Sequence, residues 1–191
     1  MSRIAVARII STLGHPVVLM LAAALGMASA RGASPTQLRF VGVALATLAF
    51  VVVGFSWLQV RSGSWQHVDA SGTKERASLN GFLAALLSGS ALVVWIVTRR
   101  PDMPVGLASA ALLIVIAILA ASWVKTSLHA AFAAFATALL WPMKLALPIG
   151  VLATAAIMWS RLVLGRHKPV DVIAGALLGI AVGSAYQWWA A

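Results

Sequence analysis

The sequence predicts an all-α fold, a polytopic bundle of six to seven transmembrane helices, and three observations carry that expectation. Of 191 residues, 62% are hydrophobic and 9% charged. A soluble domain of this size has roughly 25% charged residues, so this chain has too few to cover a wettable surface. Apolar runs of spanning length recur from one end to the other, and tryptophans cluster at the ends of those runs. In hydrocarbon every backbone polar group must be paired within the protein, so each run is expected as a helix.

A helix rises 1.5 Å per residue and needs about 20 residues to cross the membrane. The runs fall at about 9–30, 38–60, 79–98, 104–122, 128–142, 145–159 and 171–189. A polar stretch from Arg61 to Ser78 separates the second run from the third, which Arg99, Arg100 and Pro101 close. Pro142 and Pro148 bracket the turn between the short fifth and sixth runs. The polar stretch Arg161–Pro169 precedes the last run, and Pro169 suits the first turn of its helix. Trp57, Trp95, Trp123, Trp141, Trp159, Trp188 and Trp189 fall near run ends, and Trp65 lies in the first polar stretch. Indoles favour the headgroup level, where the ring is half apolar and its N–H finds water. The N-terminus also resembles a secretory signal, with Arg3 and Arg8, an apolar core and Ala28-Ser29-Ala30 as a cleavage site. His15-Pro16 sits awkwardly in a signal core and the full run is long enough to span, so a retained first helix is expected; cleavage would leave six spans. Residues 1–191 are read as a single membrane-embedded domain.

The formal charge is +10, yet the basic residues occur singly or in pairs between apolar runs, which argues against a nucleic-acid partner. Such residues anchor to anionic headgroups or meet an anionic substrate. The absence of cysteine excludes disulfides, thiolate metal sites and a cysteine nucleophile. The only carboxylates are Asp69, Glu75, Asp102 and Asp171. With seven spans, the stretches 61–78, 123–128 and 160–170 share one membrane face, which collects His67, His129 and His167 with three of the four carboxylates.

Two segments on that face carry candidate chemistry. In SRLVLGRHKPVD, Asp171 follows His167 by four residues, close enough to accept a hydrogen bond from one imidazole nitrogen. That bond would fix the tautomer and leave the other nitrogen as nucleophile or base. Arg161 and Arg166 add guanidinium forks that match phosphate oxygens. The plainer alternative makes these residues interfacial anchors around a solvated His167. In Lys125-Thr126-Ser127-Leu128-His129, Ser127 is an expected N-cap for the fifth helix, whose free N–H groups suit an anion. His129, one turn or less inside, is placed to protonate a leaving oxygen, or is simply an interfacial histidine.

Together these residues resemble the type 2 phosphatidic acid phosphatase superfamily, the PAP2 group of lipid phosphatases and vanadium haloperoxidases, in its membrane lipid phosphatase branch. Its third signature, S-R-x5-H-x3-D, is matched without a gap by Ser160, Arg161, His167 and Asp171. Its second, P-S-G-H, is matched at Ser127 and His129, with Thr126 and Leu128 in place of proline and glycine. Its first, K-x6-R-P, is matched at Arg76, with Asp69 at the lysine position and Ala77 at the proline. The resemblance covers about residues 61–185.

It implies a metal-independent, cofactor-free phosphatase acting on a lipid phosphate through a phosphohistidine. His167 would be the nucleophile, Asp171 its orienting carboxylate and His129 the proton donor. Arg76, Ser127 and Arg161 would hold the phosphoryl oxygens, and Lys125 or Lys74 would supply the cation that Asp69 does not. Independently, three carboxylates on one face are a poor basis for a magnesium cluster. Expected substrates are phosphatidic acid, phosphatidylglycerol phosphate or a polyprenyl diphosphate, with a bacterial inner membrane as the location. The competing reading is a non-catalytic anionic-lipid binding protein or transporter on the same scaffold. Nine basic residues on the motif face against five on the other point that face to the cytoplasm by the positive-inside rule, although phosphate binding accounts for several of the nine.

Overall fold

A computed structural model describes residues 2–68, 70, 72–98 and 102–190. The described residues form helices α1 (Arg3–Leu13), α2 (Pro16–Ala30), α3 (Pro35–Arg61), α4 (Thr73–Thr98), α5 (Asp102–Leu119), α6 (Leu128–Leu139), α7 (Ala146–Val163) and α8 (Pro169–Ala190), with one 3₁₀ turn at Ala120–Ser122. Large apolar side chains point outward, among them Phe50, Val53, Leu92, Val97, Ile149, Leu152 and Leu177. That reverses the pattern of a water-soluble protein, and lipid is the solvent that accepts it. The chain is an integral membrane protein. Trp57, Trp95, Trp123, Trp141, Trp188 and Trp189 are exposed near helix ends, whereas Trp65 is buried.

Among the described residues, five helices are long and apolar enough to cross a membrane: α3, α4, α5 with its 3₁₀ extension, α7 and α8. A sixth span is counted if α1 and α2 act as one, across a bend of 50°. The first apolar run is therefore broken rather than continuous. Pro16 has no N–H to donate and its ring clashes with the preceding turn, so a helix cannot run through it unbent. Gly14 closes α1 by donating to Ile10 O at 2.8 Å. His15 caps α2, its Nδ1 accepting from Val17 N at 3.3 Å. The fifth run also differs from expectation. At 12 residues, α6 is about 18 Å long, short of a hydrocarbon core of about 30 Å.

The chain divides into two compact units, Met1–Leu38 with Leu119–Ala191, and Arg39–Ile118. In the first unit, α6 is the central helix and packs mainly on α8, then on α7 and α2, while α1 packs on α7. Its sequence explains the choice: Ala130, Ala131, Phe132, Ala133, Ala134, Phe135, Ala136 and Leu139 are all buried. Alanine lets backbones approach, and in lipid such close packing substitutes for the hydrophobic drive. The opposing surface is a glycine row on α8, four residues apart and so on one face. A Cβ at Gly175 would sit 2.5 Å from Ser127 O, one at Gly179 would strike Ala131 O, and one at Gly183 would sit 2.5 Å from Ala138 Cβ. The two helices thus run parallel in near-contact. At the far end Gln187 Nε2 donates to Ala138 O at 3.1 Å and Leu139 O at 2.7 Å, closing the C-terminus of α6. Thr137 Oγ1 and Thr154 Oγ1, 2.9 Å apart, link α6 to α7.

The second unit holds most of α3, then α4 and α5. Phe55 stacks on Phe82 at 3.9 Å between centroids and meets the Trp65 ring edge-on at 5.6 Å. Helix α4 begins at Thr73, so the end of the polar stretch is helical and Arg76 lies in the first turns of α4. Glu75 holds the loop before it, accepting from Gln66 N at 2.8 Å and Gly72 N at 2.7 Å.

Candidate active site

The site in the first unit is assembled from one turn and two helix starts. Helix α7 ends in a Schellman motif: Arg166 N donates to Arg161 O at 3.1 Å and Gly165 N to Leu162 O at 3.0 Å. Gly165 is at φ +63°, the left-handed region open to glycine. The turn reverses the chain, so that Arg161 on the last turn of α7 and His167 just beyond it face the same end of the unit. Ser160 is fully buried, and its hydroxyl donates to Ile157 O at 2.7 Å, which makes it part of the α7 frame.

Asp171 is the third residue of α8 and reaches back to the helix start. Its Oδ2 accepts from Lys168 N at 2.9 Å, half of a capping box, which immobilises the carboxylate. The same Oδ2 lies 3.5 Å from His167 Nδ1. That is longer than a formed N–H···O bond of 2.7–3.2 Å. With Nδ1 turned to the carboxylate, Nε2 is the nitrogen left for chemistry. Burial, then the charges of Arg161 and Lys125, hold His167 below its ordinary value, against the opposing pull of Asp171. At neutral pH the ring is therefore an uncharged base or nucleophile.

The start of α6 meets this carboxylate segment directly. Ser127 N donates to Asp171 O at 3.0 Å, an approach that Gly175 permits. Ser127 occupies the N-cap position but its side chain makes no capping bond. Its Oγ is fully buried and, among the described residues, has no hydrogen-bond partner. A buried hydroxyl left unsatisfied costs about 1–3 kcal/mol, so it fits a site that a polar ligand completes. The first backbone bond here is Ala131 N to Ser127 O at 2.9 Å, leaving the N–H groups of residues 128–130 without an intrahelical acceptor. A buried hydroxyl beside such amides is suited to a phosphate oxygen.

His129 is the second residue of α6, and its ring meets that of His15 edge to face at 5.5 Å. Arg161 Nη1 donates to Ser11 Oγ at 2.7 Å. Lys125 Nζ donates to Arg166 O at 3.3 Å, which holds this cation against the 164–168 turn. The first unit thus contains Lys125, Ser127, His129, Arg161, His167 and Asp171. Arg76 belongs to the second unit, where its Nη2 donates to Thr73 Oγ1 at 3.2 Å. Asp69 lies outside the described residues. Among the described residues, no three His, Asp or Glu side chains group as a metal set.

Sequence reasoning passed over Ser11 and the glycine row of α8, and it used His15 only as an argument against a cleaved signal. The four-residue spacing of Gly175, Gly179 and Gly183 was the available signal for the row; Ser11 and His15 carry no local signal. The family model described as "PAP2 superfamily" matches residues 78–191, more than half of the chain. No curated protein and no solved structure gives a match.

Proposed function

Because the chain belongs to the PAP2 superfamily, we propose that it is a membrane-embedded, metal-independent phosphatase. It hydrolyses a lipid phosphomonoester or diphosphate through a phosphohistidine, in a bacterial inner membrane. The observation that carries this reading is the Asp171 carboxylate, fixed by the start of α8 and set 3.5 Å from His167 Nδ1.

His167 Nε2 attacks phosphorus, a P–N bond forms and the P–O bond to the lipid breaks. The electron pair of that bond leaves on the lipid oxygen. A bound phosphate dianion favours the protonated form of a nearby imidazole, so His129 hands the departing oxygen its proton. Water, deprotonated by His129, then attacks phosphorus, the P–N bond breaks and inorganic phosphate leaves. Asp171 stabilises the charge that develops on His167. Arg161, Ser127 Oγ and the open amides of α6 hold the phosphoryl oxygens as charge shifts onto them. Lys125 adds a cation beside the turn. Phosphatidic acid, phosphatidylglycerol phosphate and polyprenyl diphosphates all present this headgroup chemistry on an apolar tail that stays in the bilayer.

Asp69 at the position of the signature lysine favours a second reading, an anionic-lipid binding protein or transporter on this scaffold. Phosphate release from a panel of these lipids in EDTA, with wild type and His167→Ala, separates the two. Release by wild type that His167→Ala abolishes supports the phosphatase. No release from any lipid favours the binding reading, and release lost in EDTA alone points to a metal enzyme.

A further inference from the structure

Residues 3–30 lie outside the stretch that matches the family model, yet they belong to the same compact unit as the candidate site. Helix α1 packs along α7 and α2 along α6, the two helices that carry Arg161 and His129. The bend between them is seated tightly: a Cβ at Gly14 would lie 2.5 Å from Ile157 Cγ1 of α7. On either side of the bend, one side chain reaches a site residue. Ser11, buried in the last turns of α1, accepts from Arg161 Nη1 at 2.7 Å. His15, the cap of α2, presents its ring to His129 at 5.5 Å between centroids and 89° between planes.

We infer that the broken helix pair α1–α2 is a working part of the catalytic site, with Ser11 orienting Arg161 for phosphate and His15 setting the ring of His129. Both are positioning residues. A long guanidinium side chain has many rotamers, and a hydroxyl bonded to one of its nitrogens restricts them, which lowers the entropy lost when the side chain binds phosphate. The His129 ring needs a defined plane to deliver its proton, and an edge-to-face aromatic contact supplies one. The backbone logic agrees. Pro16 forces the break, the break turns His15 out of a helical ladder, and its Nδ1 is occupied by Val17 N at 3.3 Å. That contact caps α2, while the ring itself faces His129.

The inference rests on the phosphatase reading for its catalytic half only; its binding half stands apart from turnover. Its test uses the full chain in detergent, with inorganic phosphate affinity by calorimetry and kcat and KM on the best lipid phosphate. Ser11→Ala is expected to weaken phosphate about tenfold, the effect of one well-placed hydrogen bond, and Ser11→Thr to restore it. For His15 the cap and the ring are separable. His15→Asn keeps a capping acceptor and removes the ring, and is expected to lower kcat about tenfold with KM within about twofold. His15→Phe keeps a ring, loses the cap, and is expected to recover most of kcat.

Phosphate affinity in Ser11→Ala within about twofold of wild type overturns the inference, as does unchanged kcat in His15→Asn. Equal losses in His15→Asn and His15→Phe also overturn it, since they show a role in folding rather than ring placement. A wild type that binds phosphate but releases none from any lipid sinks the phosphatase reading. In that case the Ser11 pair alone decides for or against the inference.

Discussion

Substituting alanine for Gly175 tests whether the close approach of α8 to α6 sets the geometry of the site. The added Cβ would stand 2.5 Å from Ser127 O and 3.3 Å from Ala131 N, both backbone atoms in a packed helix. Ordinary contact begins at 3.4 Å, so relief requires the helices to part by about 0.9 Å at this level. That motion acts directly on the Ser127 N to Asp171 O bond of 3.0 Å, which joins the two helix starts. Overpacking of this kind costs about 1–3 kcal/mol, and a misplacement near 1 Å costs about a hundredfold in rate. Gly175→Ala is therefore expected to remain folded with a lowered thermal midpoint in detergent, and to lose about a hundredfold in kcat for lipid phosphate hydrolysis. Gly26→Ala is the control, because a Cβ there meets only Met143 Cε at 4.0 Å. Wild-type kcat and thermal midpoint in Gly175→Ala would refute the reasoning, and an equal loss in Gly26→Ala would show a general response of helices to alanine.

Gly165→Ala places a Cβ at φ +63° and is expected to cost about 1–2 kcal/mol. Thermal unfolding should show Gly165→Asn losing less, since asparagine tolerates that region. As the proposed nucleophile His167 has to be neutral, and it is held below its ordinary value, so the acid limb of kcat/KM against pH is expected below 6.5. Lys125→Ala removes one of the charges that lower it, so the limb moves upward; a limb that moves down or stays would refute the assignment. Gln187→Ala removes two hydrogen bonds to the last carbonyls of α6. At about 0.5–1.5 kcal/mol each, the loss should appear as a lowered thermal midpoint with the pH profile of hydrolysis unchanged.

Much of the fold was legible because its causes are local. Burying twenty apolar residues in hydrocarbon needs no partner, so the runs that become α3, α4, α5, α7 and α8 stand out one by one. The runs that deviate do so for reasons of packing. Helix α6 reads as a span by hydropathy, but its alanines are there for close contact with α8, and it stops after 12 residues. The first run reads as continuous, yet Pro16 divides it, and only the seating of Gly14 against Ile157 shows where the two pieces go. The third signature was legible for a related reason. Its spacing is the spacing of a helix end, a Schellman turn and a helix start, all within one stretch of chain, so His167 and Asp171 could be paired without a fold.

By itself, the sequence determined the membrane solvent, the helical architecture and the His167–Asp171 pair, since hydropathy and i, i+4 geometry act over a few residues. The tertiary structure decided how distant segments meet. It set Ser127 on the backbone of Asp171, Lys125 on the turn after α7, Ser11 on Arg161 and His15 on His129. Those contacts join residues up to 150 positions apart. They depend on which helix faces carry glycine and alanine, and no spacing along the chain encodes which face finds which.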